Sequence, residues 1–138
     1  MKKRVFVSRE LPGEGLRRLA EVCELKVWPD PGPIPPELLH REMSDAHGLL
    51  CMLTDRIDRN LIASLPELEF VSSLSVGVDH IDVSAMTNRR LPVGHTPGVL
   101  VETTADTAFA LLLAAARRIA ESDRFIRHGQ ESRPKGLC

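Results

Sequence analysis

At 138 residues, with 43% apolar and 27% charged positions, the sequence is long enough for one domain with a sizeable core and has the composition of an ordinary globular protein. A formal net charge of -1, with the two signs interleaved, excludes the electrostatic footprint of a nucleic-acid or anionic-membrane binder. The longest apolar run, Ala108–Ala116, is far too short to span a bilayer.

The start, Met1–Val7, is basic and then apolar, but Ser8-Arg9-Glu10 closes it too early for the apolar core of a signal peptide. Arg4–Ser8 therefore reads as a first strand, rich in β-branched and aromatic residues. Glu14–Val22 carries Leu16, Leu19 and Ala20 at helical spacing. Glu24–Trp28 is a second strand, closed by the breaker run Pro29-Asp30-Pro31-Gly32-Pro33. Pro35 and Pro36 suit a helix start, and Leu38, Leu39 and Met43 give that helix an apolar face. Gly48–Leu53 is a continuous apolar run, as expected of a strand buried on both faces. Asp58 is placed to cap a helix carrying Leu61, Ile62 and Leu65. Phe70–Leu74 is a fourth strand, Asp82–Asn88 a short helix and Leu91–Gly94 a fifth strand. Strand and helix alternating in this way predict a flavodoxin-like, doubly wound parallel sheet of about five strands with helices on both faces. Ligands collect at the carboxyl ends of such strands, so the loops after Ser8, Leu53, Leu74 and Gly94 form the expected working edge.

The last element differs in kind. Nothing from Thr103 to Arg127 is a helix breaker, and Thr103 with Asp106 approximates a capping box. One long C-terminal helix of ~25 residues and ~37 Å is predicted. Its middle, Ala108–Ala116, is apolar all round and calls for burial all round, by another subunit or a further domain.

Three cysteines, Cys23, Cys51 and Cys138, show no metal-site spacing, and their odd number argues against a disulfide framework. A reducing, cytoplasmic setting follows. Cys23 and Cys51 are expected in the core and Cys138 as an exposed thiol. No metal site is expected. His40, His47 and His128 have no partner at useful spacing; His80 and His95 lie at the working edge, where a lone His is more often structural than catalytic. Asp55 stands where a receiver domain carries its phosphoacceptor. The paired acids and the Lys of a receiver are missing, since Glu10 stands alone and Gly94-His95-Thr96 has no Lys. No Gly-x-Gly-x-x-Gly occurs, so no pyrophosphate loop is present. After the fourth strand, Ser75-Val76-Gly77-Val78-Asp79 offers a tight turn at Gly77 whose bare N–H groups can hold a carboxylate. Read without further context it is first of all a strand-to-helix turn with Asp79 or Asp82 as a cap.

The string Ser-Val-Gly-Val-Asp-His-Ile-Asp from Ser75, then His95-Thr-Pro-Gly-Val-Leu, then Glu102-Thr-Thr-Ala-Asp-Thr-Ala-Phe-Ala-Leu-Leu-Leu-Ala-Ala-Ala-Arg-Arg, resembles the NAD(P)-dependent D-isomer-specific 2-hydroxyacid dehydrogenases, and most nearly their glyoxylate/hydroxypyruvate reductase branch. The likeness runs from about residue 4 to 129 and fails in the polar stretch Gln130–Cys138. It implies a substrate-binding domain over 1–97, an interdomain and dimerisation helix over 98–129 that starts a cofactor domain, and a divergent tail over 130–138. It further implies a small 2-oxo or 2-hydroxy acid as substrate and NAD or NADP as cofactor. By resemblance, the backbone at Val76 and Gly77 holds the substrate carboxylate, Leu53 lines the same pocket, and Thr104 contacts the nicotinamide end of the cofactor. A homo-oligomer through the Thr103–Arg127 helix is expected. The catalytic Arg, Glu and His of the family lie beyond the matching segment. No catalytic residue is therefore assigned, and the chain by itself is expected to be inactive. The alternative is a non-catalytic dimerisation or regulatory fragment that binds full-length subunits.

Overall fold

The computed structural model describes residues 2–129. Up to Pro97 the chain forms one compact unit, and a second begins at Gly98. In the first, strands and helices alternate: β1 (Lys3–Val7), α1 (Gly15–Val22), β2 (Cys23–Val27), α2 (Pro36–Glu42), β3 (Gly48–Cys51), α3 (Arg59–Ser64), β4 (Phe70–Ser73), α4 (Val83–Asn88) and β5 (Val93–Gly94). All strand pairs are parallel, in the order β2-β1-β3-β4-β5, the flavodoxin-like arrangement with β3 at the centre.

Alternation along the strands divides the side chains between two faces. Phe6, Leu49, Cys51 and Val71 point to one face and pack with Leu39 and Met43 of α2, Leu61 and Ile62 of α3, and Met86 of α4. Burying each such side chain stabilises by roughly 1.5–3 kcal/mol, so this face carries most of the fold's apolar stabilisation. Val5 and Val7 point the other way and are also buried, but Leu50 and Phe70 beside them are only partly covered. Leu16 and Leu19 of α1 lie along this second face and are themselves half-buried.

Short-range polar contacts fix the helix ends. Asp58 Oδ1 accepts the N–H groups of Asn60 and Leu61, each at 3.0 Å, and Asp82 Oδ1 accepts that of Ala85 at 2.8 Å. Pro36 occupies the first turn of α2. The last carbonyls of α3 and those beyond it are capped by Arg89, which donates to Leu65 O at 3.0 Å, to Pro66 O at 3.2 Å and to Ile62 O.

β3 is shorter than the apolar run Gly48–Leu53 predicts. It ends at Cys51 because the Asp55 carboxylate takes the N–H of Met52 at 2.7 Å and turns the chain. Cys23 is not in the core: it opens β2, an edge strand covered on neither face completely, and is partly exposed. Cys138 and the 130–138 tail lie outside the described residues.

From Gly98 the described chain is helical, but as two helices rather than one: α5 (Val101–Ala116) and α6 (Ile119–Arg127). The break falls at Arg118, whose φ of 53° is left-handed. That conformation cannot continue an α-helix. Arg117 N–H closes α5 on Leu113 O at 2.9 Å, and Arg118 grips Glu121 in the first turn of α6 at 2.7 Å. The capping box expected at Thr103 and Asp106 is not formed. α5 already starts at Val101, so both residues lie inside it, and the Thr103 carbonyl accepts the Thr107 hydroxyl at 2.8 Å. Phe109, Leu111 and Leu112 are more than half exposed, at 61%, 66% and 62%. Among the described residues no helix is long and apolar enough to cross a membrane.

Candidate functional site

The parallel sheet brings the carboxyl ends of β1, β3, β4 and β5 to one edge. All four buried polar or charged residues among those described, Ser8, Asp55, Ser73 and Ser75, lie on that edge. Asp55 joins its first two strands: Oδ2 accepts the Met52 N–H at 2.7 Å and the Ser8 hydroxyl. With 3% of its surface exposed, Asp55 is a structural tie and is not presented as a phosphoacceptor.

The turn after β4 is held by its carbonyls. Ser75 O accepts the Thr96 N–H at 2.9 Å and the Thr96 hydroxyl at 3.1 Å. Val76 O lies 2.9 Å from His95 Nδ1, and Gly77 O accepts the Ser75 hydroxyl at 2.7 Å. Val78 O accepts the Ile81 N–H at 2.9 Å. In contrast, the N–H groups of Val76, Gly77 and Val78 meet no acceptor among the described residues. A Cβ on Gly77 would meet Asp79 Oδ2 at 3.2 Å, a tight contact with a side chain rather than with backbone. Consecutive N–H groups turned outward make an anion-binding concavity. Asp79 adds a negative charge next to the turn.

Beneath the turn is a polar chain. Ser73 Oγ is 2.7 Å from Ser75 Oγ and 2.9 Å from His80 Nε2, and Cys51 Sγ lies 4.0 Å from the same nitrogen. Burial pushes the Cys51 thiol up to about 11, with the Asp55 carboxylate acting in the same direction. Leu53 is exposed and lines a surface cleft with Asp79 and His80. Paired Cys51 and Ser73 end β3 and β4, so Leu53 and the Val76–Gly77 turn both follow strand ends on the same side of the sheet. Leu53, Val76 and Gly77 thus share one edge of the first unit. Thr104 is an exposed residue near the start of α5, its N–H bonded to Leu100 O at 2.9 Å. Sequence reading placed His80 and His95 at this edge but not their bonds to the turn, and it passed over Ser73 and Ser75. Among the described residues no group of three or more His, Cys, Asp or Glu is placed to hold a metal ion.

The first unit is a doubly wound parallel α/β domain, a class in which ligands bind at the carboxyl ends of the strands. Residues 5–128 match the family described as D-isomer specific 2-hydroxyacid dehydrogenase, catalytic domain. The chain belongs to that family. It is 47% identical over 130 residues to a glyoxylate reductase of Korarchaeum cryptofilum, covering 94% of this chain and 39% of the relative. A glyoxylate reductase of Pyrococcus furiosus is 42% identical over 138 residues, 100% of this chain and 41% of the relative. Among solved structures, a Thermus thermophilus protein superposes with a TM-score of 0.85 at 41% identity, over 98% of this chain and 44% of that one. The NADPH-dependent glyoxylate/hydroxypyruvate reductase of Sinorhizobium meliloti, solved with NADP and malonate, gives 0.75 at 29% identity, over 97% and 42%. The chain spans about two fifths of the length of the curated relatives it matches.

The described residues do not by themselves fit a dinucleotide. From Gly98 they form α5 and α6 with no strand, and no Gly-x-Gly-x-x-Gly turn is present to cradle a pyrophosphate.

Proposed function

We propose that this chain supplies the carboxylate-binding wall of a glyoxylate/hydroxypyruvate reductase, an oxidoreductase acting on small 2-oxo and 2-hydroxy acids. The amides of Val76 and Gly77 hold the substrate carboxylate and Leu53 lines the same pocket. The observation that carries this reading is the asymmetry of the turn, with its carbonyls bonded and its amides without an acceptor among the described residues. Fixed amides bind a carboxylate without the reorganisation that water would require, and they orient the adjoining 2-oxo carbon. The redox chemistry of such an enzyme draws on NAD or NADP, and in this reading Thr104 faces the nicotinamide end. The stretch in hand has neither a pyrophosphate loop nor an assigned catalytic Arg, Glu or His, so alone it is expected not to oxidise NAD(P)H with glyoxylate. The free thiols Cys23 and Cys51 suit a cytoplasmic location.

A titration of the ¹⁵N-labelled chain with oxalate tests the site. Shifts centred on the Val76, Gly77 and Val78 amides are expected. Those amides unmoved at millimolar oxalate would defeat the reading.

A second reading, a non-catalytic module that dimerises or binds full-length subunits through the 103–127 segment, is favoured by the exposed apolar residues of α5.

A further inference from the structure

We infer that His80 and His95 are positioning residues, held in opposite tautomers, that orient the Gly77 and Val78 amides by holding two successive carbonyls of the turn, His95 directly and His80 through Ser73 and Ser75. The inference rests on the reading of that turn as a carboxylate site and concerns how its geometry is fixed.

The proton count settles the direction of every bond. A carbonyl oxygen has no hydrogen, so the contact of 2.7 Å between Ser75 Oγ and Gly77 O uses the Ser75 hydroxyl proton. Ser75 then has none left for Ser73. Two oxygens 2.7 Å apart need a hydrogen between them, and it is therefore the Ser73 hydroxyl's. Ser73 in turn has none left for His80, so the contact of 2.9 Å between them requires a hydrogen on Nε2. The chain runs one way, from His80 Nε2–H through Ser73 and Ser75 to Gly77 O. His95 is fixed by the same argument. Its Nδ1 lies 2.9 Å from Val76 O, which can only accept, so the hydrogen is on Nδ1.

Two neighbouring carbonyls are thus held, one directly by the exposed His95 imidazole and the other through two buried hydroxyls. Peptide planarity then determines where the following amides point: fixing Val76 O fixes Gly77 N–H, and fixing Gly77 O fixes Val78 N–H. Ser73 and Ser75 are 1% and 7% exposed, so water does not compete for the chain's inner links. Either protonation state of each ring preserves the donor in use, because imidazolium carries hydrogens on both nitrogens.

The test uses the ¹⁵N-labelled full chain. Long-range ¹H–¹⁵N correlation of the rings at mildly alkaline pH should show the hydrogen on Nε2 for His80 and on Nδ1 for His95; the reverse in either ring overturns the assignment. Ser75→Ala and His95→Leu should each weaken oxalate binding, read at the turn amides, by about tenfold, the loss expected for one oriented hydrogen bond. Ser75→Thr and His95→Asn, which retain a donor, should recover most of it. Unchanged affinity in Ser75→Ala and His95→Leu at an unchanged urea midpoint overturns the positioning role. Residual dipolar couplings of the turn amides distinguish the two failures. If the wild type binds no oxalate, yet Ser75→Ala and His95→Leu change the N–H couplings at Gly77 and Val78, the carboxylate reading is lost and the positioning role stands.

Discussion

Gly48 and Phe70 face each other across the β3–β4 ladder, and the Phe70 ring lies in the space that a Cβ on Gly48 would need. Glycine at position 48 is thus required by its neighbour rather than by backbone conformation. The ring covers the strand on the face along which α1 lies and which α1 leaves only partly covered.

Gly48→Ala should push the ring off the sheet and lower stability by about 1–3 kcal/mol, the range for overpacking. Gly94→Ala is the matched control. Its Cβ would meet Ser72 Oγ at 3.2 Å, a side chain with room to turn, and the loss of unfolded-state freedom offsets the strain. Urea unfolding of both variants decides the matter. Equal costs at the two glycines would contradict this account, as would additivity of Gly48→Ala with Phe70→Leu.

Cys51 gives a pH prediction of defined sign. Its thiol is held up to about 11 in the folded chain, above the ordinary value of 9.0, chiefly by burial. A raised folded value means that the contribution is fully present below the unfolded value. It is lost as pH rises from there through the folded one. Between pH 9 and 11 the unfolding free energy should fall by about 1.4 kcal/mol per pH unit on account of this group. Cys51→Ala should remove that part of the slope. Identical slopes for the two proteins in this window would show that the thiol does not ionise on unfolding.

The apolar side chains of α5 predict association. Leu112 and Leu113 are 62% and 48% exposed, next to Phe109 at 61%. Replacing both leucines with Gln should raise solubility and shift the sedimentation distribution toward monomer. A wild-type chain that is already monomeric at tens of micromolar by light scattering would remove the basis for an oligomer through this helix.

Strands β1, β3 and β4 were legible as short runs rich in apolar residues, and Asp58 was legible as a cap because a cap acts over three residues. Where contacts span the sheet, legibility fails. His80 meets Ser73 only because the chain turns back after β4. His95 meets Val76 only because β5 pairs parallel to β4 in one register. Neither contact leaves a local pattern in the sequence. The break at Arg118 was hidden for a different reason. Arginine is a good helix former, and its left-handed conformation depends on the bonds that Arg117, Arg118 and Glu121 make around it. Turn composition carried the site only as far as Gly77; the outward direction of the amides is a property of the carbonyls' partners.

Strand β1 stands between β2 and β3 although it comes first in the chain. Every later strand reaches β2 only through it. Its pairing with β3 links Val5 to Gly48, so the loop it closes is long. During synthesis β1 must therefore wait, paired at most with β2, until the third strand has left the ribosome. Its buried Val5, Phe6 and Val7 make the waiting β1-α1-β2 unit the stretch with most to gain from a chaperone, and trimming the first eight residues would leave β2 with no strand to join.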